Sequence, residues 1–139
     1  RDYVLIKTRN DKEVEAILIN DLSDIYNYLS DKITTIFIDE ANFLKGNIDV
    51  LIDLSINKDL DIFIAGLNLT SELKPFGIMP EIMAISDEIV LLHASCNDCN
   101  RDASYTYYNG SKDSDILVGN DNYIALCPKC LRKRLTLNK

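Results

Sequence analysis

The chain has 139 residues, enough for one ordinary domain or for one domain with a small appendage. Apolar residues make up 47 % of it, so a real core can form, and nothing in it reads as low-complexity. A net charge of −7 argues against non-specific binding to nucleic-acid polymers or anionic membranes, which wants a basic face, and the apolar runs fall far short of the ~20 residues of a membrane span. A nucleotide ligand stays open, because one phosphate site needs only local donors.

DYVLIK, residues 2–7, is a short apolar run expected to form a buried strand. TRNDKEVE is charged and without apolar period, so it reads as a loop, and AILIN (16–20) as a second strand. In DLSDIYNYLSDK, Leu22, Ile25, Tyr26 and Leu29 fall at helical spacing behind Asp21, a candidate N-cap. ITTIFIDE (33–40) is a β-branched strand ending in two carboxylates. NIDVLIDLSINK sets Ile48, Leu51, Ile52 and Ile56 on one helical face, and LDIFIAGLN is another apolar strand. This order, with strands apolar on both faces, predicts a doubly wound α/β domain with a parallel sheet flanked by helices.

After Pro75 the style changes. A short helix from Glu81 to about Ile85 and a strand over Glu88–Leu92 are expected, then short strands and turns. The predicted boundary is near Leu92, giving an α/β domain over 1–92 and a small domain over 93–139. The first residue is Arg1, RDYVLIK already reads as strand, and no signal or transit peptide is visible, so the chain is expected to be part of a longer protein.

CNDC, Cys96 to Cys99, is answered by CPKC, Cys127 to Cys130, and these are the chain's 4 cysteines. Two residues between each pair let both thiolates face one point, and four thiolates at about 2.3 Å close a tetrahedral zinc site. A closed site has no open position for substrate, so this metal would be structural. The competing readings are two disulfides, which suit secreted chains; a redox motif, which needs one C-x-x-C at a helix start; and an iron–sulfur centre. The segment between the hooks is too short for a core of its own and needs such a staple.

Asp39 and Glu40 close an apolar strand. Ligands of open α/β sheets bind beyond the strands' carboxyl ends, where an Asp can hold Mg²⁺ and a neighbouring Glu can take a proton. A solvated pair complementing a helix N-terminus is an equal reading of these two residues alone. His93 reads as a surface or packing residue, the tyrosines of YTYYNG as hairpin packing, and LRKRLTLNK as a solvated helix end.

Taken together, FIDEANF, AGLNLTSELKPFG, LLHASCNDCNRDASYT and ILVGNDNYIALCPKC resemble the type II thymidine kinases, the tetrameric zinc-containing kind. The likeness runs from about Leu18 to Cys130. It implies a P-loop NTPase (RecA-like) domain plus a zinc-ribbon and lasso domain. By similarity, Asp39 would hold Mg²⁺ on ATP, with Arg9 near the phosphates, and Glu40 would be general base on the 5′-hydroxyl of thymidine or deoxyuridine. Phe43, Leu67, Thr70 and Phe76 would form the base pocket. The lasso residues Ile116, Leu117, Val118, Gly119 and Tyr123 would close over the nucleoside, and Cys96, Cys99, Cys127 and Cys130 would hold Zn²⁺. A cytoplasmic homotetramer inhibited by dTTP is the family expectation.

The sequence also departs from that family. No G-x-x-x-x-G-K-[ST] loop occurs in it, and a β-loop-α unit of roughly 20–40 residues carrying one is expected to precede Arg1. Without that loop these 139 residues are not expected to phosphorylate a substrate efficiently. Lys7 stands where the family's Asp-x-Arg segment has its Asp. Ala41 and Asn42 replace Gly or Ala followed by Gln, Asn68 replaces a polar or acidic residue, and Val118 stands where glycine is common. The leading reading is an ATP-dependent thymidine kinase. The alternatives are a catalytically silent nucleoside-binding or assembly module, and a zinc-ribbon protein unrelated to nucleosides.

Overall fold

The computed structural model describes residues 3–110 and 122–137. Its contacts divide into two compact units, one of residues 1–67 and 77–85, the other of residues 68–76 and 86–139. No helix among the described residues is long and apolar enough to cross a membrane.

The first unit opens with a hairpin. β1 (Tyr3–Lys7) pairs antiparallel with β2 (Glu13–Ile17), Lys7 opposite Glu13 and Tyr3 opposite Ile17. The second strand therefore starts inside the charged stretch predicted as loop. Only Thr8–Lys12 turns, with Asp11 at φ 56° and the Thr8 N–H donating to the Lys12 carbonyl (2.8 Å). β1 is also not buried: Leu5 is 67 % exposed. A two-stranded ribbon leaves both faces uncovered when no layer packs on it.

β3 (Thr35–Ile38) and β4 (Asp61–Ile64) pair in parallel, Thr35 with Asp61 and Ile38 with Ile64. The period of two sends Ile36, Ile38, Ile62 and Ile64 to the core side and Phe37 and Phe63 to the other. Those two rings stack at 5.2 Å and stay largely exposed, so burial on both faces, expected from the apolar pattern, holds for one face only among the described residues. The crossover between the strands carries α1 (Asp49–Ile52), which widens into a π-turn over Asp53–Asn57. Leu51 and Leu54 fill the core from it.

The predicted Asp21 cap is present. Asp21 Oδ1 accepts from the Ser23 N–H (2.9 Å) and Asp24 Oδ2 accepts from the Asp21 N–H (3.0 Å), a reciprocal capping box. The helix it starts, Leu22–Tyr28, is a 3₁₀ helix that buries Leu22 and Ile25. α2 (Met79–Ile85) begins two residues before the predicted start and adds Met79 and Ile82. Pro80 sits in its first turn, where a missing N–H costs nothing.

The second unit is a small β-structure closed by one helix. β5 (Ala94–Ser95) pairs with β6 (Asp102–Ala103), and β7 (Tyr105–Tyr108) with β8 (Tyr123–Leu126), both antiparallel. α3 (Pro128–Leu137) follows the second cysteine hook. The tyrosines do form a hairpin, as predicted. The strand expected over Glu88–Leu92 is absent: Val90 and Leu92 are 69 % and 87 % exposed. Its β-branched residues favour extension, but a strand also needs a ladder partner, and no described residue supplies one.

Candidate functional site: a carboxylate turn and a four-cysteine cluster

The β3–β4 ladder does not stop at the strand ends. The Ala65 N–H donates to the Ile38 carbonyl (2.9 Å), and the Ala41 N–H donates back to the Ala65 carbonyl (3.0 Å). Asp39 and Glu40 are thus looped outward between two pinned residues, and both are exposed. Asp39 Oδ1 accepts from the Glu40 N–H (2.9 Å). Glu40 lies in the left-handed region at φ 53°, ψ 38°, and caps a 3₁₀ turn (Ala41–Phe43) without a side-chain hydrogen bond. A non-glycine residue there costs of order 1–3 kcal/mol, and such strain gathers at functional sites. Its carboxylate is left free to face solvent or a ligand.

Behind the turn sits Asn42, 3 % exposed and the buried polar side chain among the described residues. Its Oδ1 accepts from the Leu67 N–H (3.0 Å). Phe43, next to it in the chain, and Leu67 are 66 % and 51 % exposed. Gly77 backs the same residue. At φ +52° a Cβ there would stand 2.4 Å from the Asn42 carbonyl oxygen, a backbone atom that cannot step aside. Gly77→Ala is therefore expected to destabilise the protein by about 1–3 kcal/mol, read as a lower denaturant midpoint at unchanged slope.

Arg9 lies exposed in the hairpin turn. In the second unit, Thr70 is half-buried and its Oγ1 accepts from the Glu72 and Lys74 N–H groups (3.3 and 3.2 Å). Phe76, also half-buried, donates its N–H to the Asn68 carbonyl (3.0 Å) and closes that tight loop. Tyr123 opens β8 opposite Tyr108, ring centroids 5.0 Å apart. Ile116, Leu117, Val118 and Gly119 lie outside the described residues.

The four cysteines converge. Their sulfurs all lie within 4.8 Å of one another, with Cys96, Cys127 and Cys130 buried and Cys99 exposed. The 3.7 Å between the Cys99 and Cys127 sulfurs matches the edge of a tetrahedron with 2.3 Å metal–sulfur bonds, about 3.8 Å. It is far too long for a disulfide. Burial opposes ionisation of Cys96, but main-chain groups of Cys127, Asp98 and Cys99 bring it down to about 6. Cys130 is pushed up to about 12 by burial and by the other three thiols. So crowded a set cannot be fully ionised without a cation among it, and the donors fit a soft or borderline dication such as zinc.

A clasp not visible in the sequence braces this cluster. Arg134 on α3 grips Asp98, inside the first hook, through Nε to Oδ2 (2.9 Å) and an Nη to Oδ1 (2.7 Å). Its other Nη donates to Asn109 Oδ1 (3.3 Å), and its guanidinium lies 5.6 Å from the Tyr107 ring centre. The only hint in sequence was an Asp between hook cysteines and a basic helix to meet it. The Arg134 hydrogen bonds hold Asp98 down at about 2. The clasp's contribution is thus present above the ordinary carboxylate range and lost only as pH falls towards 2. Arg134→Lys keeps the charge but loses the planar fork, and should lower the melting temperature by several degrees with zinc content unchanged.

A parallel βαβ unit with a carboxylate turn after its first strand, together with a four-cysteine knuckle that could hold a metal ion, defines an α/β protein with a cysteine-rich accessory unit. Residues 1–131 match the family model described as thymidine kinase, and the chain belongs to the thymidine kinase family. It is 32 % identical over 135 residues to a thymidine kinase of Pseudothermotoga lettingae, covering 96 % of this chain and 73 % of that one. A thymidine kinase of Mycoplasma mobile is 32 % identical over 126 residues (90 % and 63 %), and one of Porphyromonas gingivalis 36 % over 107 residues (76 % and 52 %). The chain thus spans between about half and three quarters of the length of these relatives.

Proposed function

We propose that the protein is an ATP-dependent thymidine kinase acting on thymidine or deoxyuridine. The observation that carries this is the outward-looped Asp39–Glu40 turn at the carboxyl end of a parallel strand, in a chain of the thymidine kinase family. The Walker-B position of Asp39 supports a P-loop NTPase fold for the complete domain. In this reading Glu40 takes the proton from the 5′-hydroxyl. The freed oxygen forms a bond to the γ-phosphorus, the bond to the β–γ bridging oxygen breaks, and ADP leaves. Mg²⁺, held through Asp39, would neutralise charge on the phosphates, with Arg9 near them. Phe43, Leu67, Thr70 and Phe76 would bound the base, and Ile116, Leu117, Val118, Gly119 and Tyr123 would cover the nucleoside.

Zinc on Cys96, Cys99, Cys127 and Cys130 would be structural, since four sulfurs leave it no open position. Reduced thiolates suit a cytoplasmic protein. A division at residue 92, a homotetramer and inhibition by dTTP complete the proposal. The test is conversion of labelled thymidine to dTMP by the complete natural polypeptide with Mg-ATP. Magnesium-dependent product supports the kinase. Thymidine binding without product would favour the silent module instead.

A further inference from the structure

Asn42 stands out because its chemistry is at odds with its surroundings. It is an amide at 3 % exposure, next in the chain to Phe43 and hydrogen-bonded to the main chain of Leu67, two apolar residues that the fold leaves more than half exposed. Burying an amide is costly unless it is hydrogen-bonded, and here only half of it is satisfied. Oδ1 takes the Leu67 N–H, while Nδ2 has no partner among the described residues. An apolar residue would fill such a space more cheaply, so packing alone does not account for an amide.

The surroundings indicate what the amide does. It reaches across 25 positions of sequence to the loop that follows β4. That loop approaches closely because residue 66 is glycine: a Cβ there would lie 3.1 Å from Asn42 Oδ1 and 2.9 Å from the Met79 sulfur. The same residue is held from behind by Gly77. The bond between Asn42 and Leu67 is therefore a strut between the carboxylate turn and the β4 loop, and it fixes where Phe43 and Leu67 stand relative to Glu40. Since the Leu67 N–H must meet an oxygen, the amide orientation is set, and Nδ2 is left as a buried donor.

We infer that Asn42 is a positioning residue for nucleoside binding: it sets the spacing of Phe43 and Leu67, the two apolar side chains that would grip the pyrimidine face. This rests on the thymidine kinase reading. It predicts a selective defect. Without the strut the β4 loop drifts and the nucleoside loses its seat, while the phosphate donor does not.

The experiment is steady-state kinetics on the complete natural polypeptide and its Asn42→Leu and Asn42→Asp variants, each checked for zinc content and melting temperature. Leucine keeps the volume and removes the acceptor. Aspartate keeps an oxygen for the Leu67 N–H. The expected result for Asn42→Leu is a rise of about tenfold in KM for thymidine, with KM for ATP within twofold and the protein folded. Asn42→Asp should recover most of that loss. A purely structural role would lower the melting temperature and the active fraction without separating the two KM values. An unchanged thymidine KM in folded Asn42→Leu, or an equal rise for both substrates, overturns the inference alone. No turnover by the wild type overturns the kinase reading, and the inference with it.

Discussion

Serine in place of Cys127 should leave the protein unable to hold zinc and its second unit unable to stay folded. Of the six described residues that form that unit's buried core, three are cysteines (Cys96, Cys127 and Cys130), and the others are Ala103, Leu126 and Leu131. Even with Tyr105, Tyr107, Ile124 and Ala125 packed half-buried against them, so few apolar side chains cannot offset the chain entropy of ordering two short hairpins and a helix. Structural zinc supplies apparent free energies of about 10–16 kcal/mol in comparably small units, and that binding energy is folding energy. Cys127 is the most consequential ligand to remove. It is buried, its sulfur accepts from the Cys130 N–H (3.5 Å), and it begins the turn into α3. The wild type should contain a single zinc ion by elemental analysis. A strong chelator should reproduce the mutant's loss of secondary structure, and added zinc should restore the wild type but not Cys127→Ser. A metal-free native protein with its cysteines oxidised in pairs would overturn this account.

How much of this was legible in the sequence differs by the kind of signal. The cysteine hooks were readable because metal chemistry fixes spacing: C-x-x-C is what a knuckle requires, and the sulfurs do converge. The Asp21 cap was readable because capping is local, settled within four residues. The β3 and β4 strands were readable from their β-branched runs. What depended on partners was not. Residues 88–92 have strand composition but no neighbour among the described residues, and Phe37 and Phe63 look like core yet lie exposed. The β1–β2 turn was misplaced because Glu13 and Glu15 suggested a loop. In a two-stranded ribbon with both faces exposed, charged side chains are as comfortable as apolar ones. The same limit applied at the carboxylate turn. Asp39 and Glu40 announced themselves by type and position. The positive φ of Glu40 and the burial of Asn42 go with contacts to residues 24 and more positions away, which no local pattern encodes.

Glu40→Gln is the substitution that tests the chemistry itself. Glutamine keeps the length and shape of the side chain and can occupy the same left-handed backbone, so the turn should survive. Glu40 is exposed and makes no capping hydrogen bond, so the melting temperature should stay within the spread of the wild type. In the proposed mechanism, what is lost is the proton acceptor. General-base removal costs typically 10²–10⁴-fold, so kcat should fall by about that factor while the KM for thymidine moves by no more than a few-fold. Asp39→Asn should behave differently. Its carboxylate would act on the metal–nucleotide, so its defect should appear in the KM for Mg-ATP and ease as magnesium is raised. Glu40→Asp separates position from charge. It keeps the carboxylate but shortens it by one methylene, and a base displaced by about 1 Å loses up to 10²-fold. The order of kcat should therefore be wild type, then Glu40→Asp, then Glu40→Gln. If Glu40→Gln instead retains most of the wild-type kcat, deprotonation is not assisted by this residue. The strained turn would then serve to present Phe43 and Asp39, and phosphoryl transfer would rest on positioning and charge alone.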